Sequence, residues 1–156
     1  MYADPVFSRG STLPRARHDP IFNFDTDAVG TATTFTDVND GLSATFSSPN
    51  DPGGGFVVFS TFFSTLTGHV LLDPGPAEAS NIPLTIAFGS NVTSIVLDFA
   101  TDGSSLLTMS ALENGTLVGS VNAMGIIPAG CFYPEGTIGF NGARRSQAVW
   151  GTHGKP

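Results

Sequence analysis

Four aspartates in two short phrases raise the first question of chemistry. Asp25 and Asp27 lie in "FDTDAVG", and Asp37 and Asp40 lie in "DVNDG". Carboxylates mixed with Asn and Gly on a bent loop are the donor set of calcium, which takes about six to eight oxygens. The spacing is not that of a helix–loop–helix calcium loop, because the ligand periodicity and the terminal Glu are missing. Two readings stand side by side. Asp25, Asp27, Asp37 and Asp40 hold a structural calcium ion, or they form Asx-turns and supply solubilising charge.

Other catalytic sets are harder to assemble. His18, His69 and His153 are far apart and Cys131 is the sole cysteine, so a zinc site has no obvious ligand set and no intrachain disulfide can form. A lone cysteine of this kind is expected to be a small buried hydrophobe. The glycines at Gly53–Gly55 have no following Lys or helix and make no phosphate loop. Ser, His and Asp are present, but no nucleophile elbow frames a Ser. Glycoside hydrolysis needs two carboxyl groups across a cleft, whereas Glu78, Glu113 and Glu135 all read as turn residues. Only backbone N–H groups would be available in the body to stabilise an oxyanion. The expectation is a chain that is not an enzyme, with a hydrolase fragment as the weakest alternative. Sugar binding would need exposed aromatic rings. Phe56, Phe59, Phe62 and Phe63 read as core, and Phe132 with Tyr133, in a loop between two strands, are the candidate ligand-binding pair.

These residues must be positioned by strands. "GLSATF" sets Leu42, Ala44 and Phe46 on one face and Ser43 and Thr45 on the other, the period of a half-buried strand. "IFNF", "FVVFSTFF" and "TGHVLL" read as further strands, the second with both faces covered, and two long Pro- and Gly-rich loops intervene. In "LTIAFGSNVTSIVLDFATDG", Leu84, Ile86 and Phe88 share one face and Ile95, Leu97 and Phe99 another, with "GSN" between. The pattern predicts an antiparallel hairpin whose six apolar residues pack against a second sheet. "SLLTMSAL" and "TLVGSVNAMG" flank "ENG", where Asn114-Gly115 suits a type I′ turn. No segment has a capped helical period. Some nine or ten short strands suggest an all-β, two-layer sandwich.

The bulk composition agrees. At 156 residues the chain is the size of one domain. Gly (19), Pro (11) and Phe (13) are abundant while charged residues make up 12%, which is not the composition of a disordered chain. The net charge of −7 argues against nucleic acid or an anionic membrane surface as partner. No apolar run is long enough to insert in a membrane as a helix. All six basic residues lie at the ends, at Arg9, Arg15, Arg17, Arg144, Arg145 and Lys155, so none occurs between His18 and Ala143. No signal peptide is legible at the N-terminus.

The phrases "GLSATFSSP", "GGGFVV", "LTIAFGSNVTSIVLDFATDG", "LTMSALENGTLVGSV" and "PEGTIGFNGA" resemble the β-sandwich domain of bacterial exported proteins that often carry a PEP-CTERM sorting signal. The resemblance covers about Ile21 to Ala143. It implies a jelly-roll-like antiparallel sandwich, related to galactose-binding and carbohydrate-binding modules, in a parent protein that is secreted or held at the cell surface. The implied role is a non-catalytic structural or interaction domain of the surface or matrix, its partners extracellular polysaccharide or a surface protein. A carbohydrate-binding module is the alternative. The pattern departs at Arg144, where "ARRSQAVWGTHGKP" replaces the family's last strand, its Asp and its anchor. The expectations are therefore a poorly ordered arm over 1–20, a sandwich over 21–143, and a non-native or disordered tail over 144–156.

Overall fold

Period-2 runs and tight polar turns leave the chain little choice but sheet. The computed structural model describes residues 20–48, 55–61, 63–73, 83–101 and 106–153, with backbone alone at 142–147 and 150–153. Within these residues there is no helix. The strands are β1 (Phe35–Asn39), β2 (Leu42–Ser47), β3 (Val57–Ser60), β4 (His69–Leu72), β5 (Leu84–Ala100), β6 (Leu106–Glu113), β7 (Thr116–Met124) and β8 (Glu135–His153). Six form one antiparallel sheet in the order β1-β2-β5-β8-β6-β7, and β3 pairs with β4 apart from it. The architecture is all-β and sandwich-like. The arm expected over 1–20 lies outside the described residues except for Pro20, as do His18, Glu78 and Phe62.

Turn chemistry fixes the two hairpins. Asn114 and Gly115 both have positive φ, 50° and 79°, as a type I′ turn requires. Asp40 and Gly41 repeat this between β1 and β2, with φ of 48° and 78°. Asp40 is thus a hairpin residue. The β1–β2 register sets Phe35 opposite Phe46, and their rings stack at 5.4 Å. Phe24 meets both edge-on, at 6.0 and 5.0 Å. Phe22 packs on Phe46 at 6.1 Å. "IFNF" buries both its phenylalanines, yet it is not a strand as expected. Its alternation is real, but it lies on the core without joining a ladder.

The segment from Leu84 to Ala100 is one strand of 17 residues, not a hairpin. All six expected core residues, Leu84, Ile86, Phe88, Ile95, Leu97 and Phe99, are buried. Going from Phe88 to Ile95 is an odd step, so an unbroken period-2 strand would put the two apolar runs on opposite faces. A turn or an extra residue repairs that mismatch. The molecule uses the second route: the β5–β8 register shifts between Ala87 and Ser94, the signature of bulging. Gly89, Ser90 and Asn91 are exposed there.

The bulge divides the long β5–β8 pair. Thr85 to Phe88 pair with β2 on one side and Leu84 to Ala87 pair with Gln147 to Trp150 on the other. Beyond the bulge, Ser94 to Ala100 pair with Glu135 to Asn141. The far half of β8, Gln147 to His153, carries β6 on its other edge. Here the structure corrects the sequence expectation, since 144–153 continue β8 where a tail was expected. Ladder partners on both sides, rather than local composition, hold this segment as strand.

One core serves both halves. Phe22, Phe46, Ile86, Leu97, Phe99, Leu107 and Met109 belong to a single buried cluster. Burying each such side chain stabilises the fold by about 1.5–3 kcal/mol. Leu66, Val70 and Ala100, with Phe63 against them, form a smaller cluster at the 63–68 segment. β3 is shorter than "FVVFSTFF" suggested: Phe56 and Val58 are buried, while Phe59 is exposed and not core.

Candidate functional site

The aspartate-rich edge is built by a glycine and a histidine. Gly68 has φ of 76°, and a Cβ on it would fall 1.9 Å from Asp25 Oδ1. Only glycine permits both that conformation and that approach. The His69 N–H then donates to Asp25 Oδ1 at 2.7 Å. His69 Nδ1 lies 3.1 Å from two carbonyl oxygens, those of Phe24 and Asp27. Both can only accept, so Nδ1 carries the proton. His69 is half-buried and ties the Asp25–Asp27 turn to the start of β4.

Asp27 is the least satisfied group of this edge. Its Oδ2 is buried without a hydrogen-bond partner. Burial raises its pKa, the Asp37 charge raises it further, and His69 opposes both. Asp37 Oδ1 accepts from the Val38 N–H at 2.7 Å. The fold therefore brings Asp25, Asp27 and Asp37 to one side of β1 and β4, while Asp40 occupies the β1–β2 turn. Among the described residues, no three His, Cys, Asp or Glu side chains converge as a metal ion would need.

A second carboxylate was misread in the sequence. Glu135 reads as a turn residue after Pro134, but it opens β8 and is only 6% exposed. Its Oε1 accepts from the Ser64 N–H at 2.8 Å and its Oε2 from the Thr65 N–H at 2.7 Å. The Thr65 hydroxyl donates to the same Oε2. Burial pushes its pKa up, but the Thr65 hydroxyl and the N–H groups of Ser64, Thr65 and Leu66 outweigh this and hold it below the usual range. The backbone of Glu135 also exchanges hydrogen bonds with Ile126 at 2.9 and 3.0 Å. One residue thus pins the 63–68 segment and closes the base of the 125–134 loop. Its side-chain partners lie 70 and 71 residues away, so no local pattern marks it.

The 125–134 loop carries the two aromatic candidates and separates them. Phe132 is 89% exposed. Tyr133 is half-buried, its ring edge-on to Phe63 at 5.5 Å. They are not a matched pair of platforms: one ring faces solvent and the other anchors the loop. Ile126 and Ile127 are exposed beside them in sequence. Cys131 is half-buried in the same loop, where its N–H donates to the Pro128 carbonyl at 3.0 Å, and it is not the core residue expected. Exposed Phe132 is the feature of this region best suited to meet a partner. No protein-family model, curated protein or solved structure matches the chain.

Proposed function

We propose that this chain is a non-catalytic structural or interaction domain of an exported bacterial surface or matrix protein. The observation that carries the reading is the 125–134 loop. Phe132 stands 89% exposed on it, above a base fixed by Glu135 and by Tyr133 against Phe63. An exposed ring on a pinned loop is a low-entropy anchor for a partner. The exported location draws its support from the body without Lys or Arg and from the resemblance of "VTSIVLDFATDG" and "PEGTIGFNG" to the sorted β-sandwich proteins. A jelly-roll-like topology accompanies that resemblance.

Placing a photo-crosslinking residue at position 132 in the producing cell tests the reading. Adducts with macromolecules outside the cytoplasm are the expected result, and adducts confined to cytoplasmic proteins would overturn it. Carbohydrate binding is the second reading, favoured by the single outward ring of Phe132, since a sugar face stacks on such a ring. Electrophoresis through gels containing neutral or acidic polysaccharide distinguishes it. Retardation that vanishes in Phe132→Ala would make the sugar the partner.

A further inference from the structure

We propose that β7 is a self-association edge, and that its occupant is β7 of a second copy of this chain, paired antiparallel about a two-fold axis. Among the described residues, the sheet ends at β1 on one side and at β7 on the other. An edge strand presents unpaired N–H and C=O groups, and folded proteins guard such edges with charge, proline or brevity. β1 is guarded: it has five residues, contains Asp37 and runs into Asp40. β7 is not: it runs nine residues, "TLVGSVNAM", without a charge or a proline. In a chain of net charge −7, β7 is thus the edge of this sheet where a second copy meets the less repulsion.

The side chains of β7 are also complementary to themselves. Gly119, Val121 and Ala123 are half-buried, and Val121 and Ala123 pack against the core. Asn122 and Ser120 are tied to Thr108 and Ser110 of β6 on the other face. The exposed apolar residues gather at the two ends, Leu117 and Val118 at one, Met124, Ile126 and Ile127 at the other. Antiparallel pairing centred on Ser120 sets Thr116 beside the partner's Met124 and Val118 beside the partner's Asn122. Val118 then lies diagonally from the partner's Met124 on the same face, and the two pairs so formed cover part of the apolar surface that the monomer leaves in water. A two-fold pairing closes on itself and stops at two copies.

This inference rests on β7 and stands apart from the surface role. A monomer would leave that role intact, and cytoplasmic adducts at position 132 would leave the dimer intact. Light scattering behind a sizing column, over a concentration series of the full chain, is the test. The expected mass rises from 16.1 kDa toward twice that value. On dimerisation, amide hydrogen exchange should slow within 116–124. The V118D/M124D variant should weaken association by about tenfold or more through like-charge contact, while Val38→Asp on the β1 edge leaves it unchanged. Both changes fall on exposed side chains outside the core, and the exchange experiment needs no variant. A wild-type monomer at every concentration would overturn the proposal. So would a dimer that survives V118D/M124D, exchange slowing elsewhere, or open-ended assemblies joining β7 to β1.

Discussion

Glu135 and Asp27 both hold carboxylate oxygen withdrawn from water, and they are seated in opposite ways. Glu135 is met by two backbone N–H groups and a hydroxyl from one short loop. Asp27 has a buried oxygen with no donor and a second carboxylate, Asp37, close enough to raise its pKa. The first environment stabilises negative charge and the second resists it. The pair shows that burial alone does not decide the cost of a charge: the donors facing it do. It also separates two uses of acid in this fold. Glu135 joins distant segments, whereas the aspartate edge stores unrelieved charge.

The largest effect should follow from breaking the Glu135 seat. Glu135→Ala removes a charged acceptor of two backbone N–H groups and a hydroxyl. Because Ser64 and Thr65 are exposed, water can replace part of it, so a loss of about 2–3 kcal/mol in urea unfolding is expected. Glu135→Gln keeps the shape and one acceptor but turns an amide NH2 toward donors, and should cost less, about 1–2 kcal/mol. Equal, negligible losses for both would mean that the loop is held by the Leu66–Val70–Ala100 cluster instead.

Acid titration sharpens the contrast because the two groups act with opposite sign. Glu135 has a lowered pKa in the fold, so its contribution is complete above the ordinary Glu value of 4.5 and is lost as the pH falls through the lowered one. Asp27 has a raised pKa, so its penalty is complete above that raised value and is relieved as the pH falls toward the ordinary 3.8. Melting temperature against pH should show both. The gap between wild type and Glu135→Gln should close below pH 4.5, and the gap between wild type and Asp27→Asn should close on the way down to 3.8. A Glu135→Gln gap that persists unchanged at lower pH would detach the seat from the carboxylate's charge.

The same contrast explains what could be read from sequence. The apolar positions of β5 were legible because alternation reports a face directly, as the burial of Leu84 to Phe99 at two-residue steps shows. The odd step at Phe88–Ile95 announced an irregularity, but turn and bulge satisfy it equally, and only the ladder with β8 selects the bulge. Asn114-Gly115 was read as a turn from two adjacent residues. Asp40-Gly41 carries the same signal, and of the two readings open to these aspartates the turn is the one that Asp40 takes. Strand continuation past Arg144 was illegible for a different reason: its cause lies in β5 and β6, not in "RRSQAV". Of the site, the exposure of Phe132 followed from its loop, whereas Tyr133 and Glu135 depend on contacts with Phe63 and Thr65, about seventy residues earlier in the chain.

Relieving the charge at Asp27 should have a smaller, opposite effect. Asp27→Asn removes the repulsion with Asp37 and lowers the desolvation cost, while the Asp27 backbone carbonyl still accepts from His69. A gain of a few tenths to about 1 kcal/mol at neutral pH is expected. Asp25→Ala should lose stability instead, since it removes the Oδ1 that accepts the His69 N–H. A destabilised Asp27→Asn would show that His69 outweighs Asp37, and would reverse the sign assigned to this edge.

Calcium should give the smallest effect. A cation relieves Asp27 as a proton does, by supplying positive charge to an oxygen that lacks a donor. Asp27 and Asp37 with nearby carbonyls fall short of the oxygen shell that calcium prefers, so binding should be weaker than the roughly 10⁻⁴–10⁻³ M of extracellular calcium modules. At a concentration equal to Kd, mass action stabilises the native state by about 0.4 kcal/mol, or roughly 1–2 °C in melting temperature for a domain of this size. Sodium chloride at matched ionic strength separates screening from binding. The calcium increment should disappear in Asp37→Asn and shrink as Asp27 takes up its proton. If calcium and sodium act alike, the aspartates are turn formers and charge alone, and the contrast with Glu135 reduces to satisfied against unsatisfied hydrogen bonding.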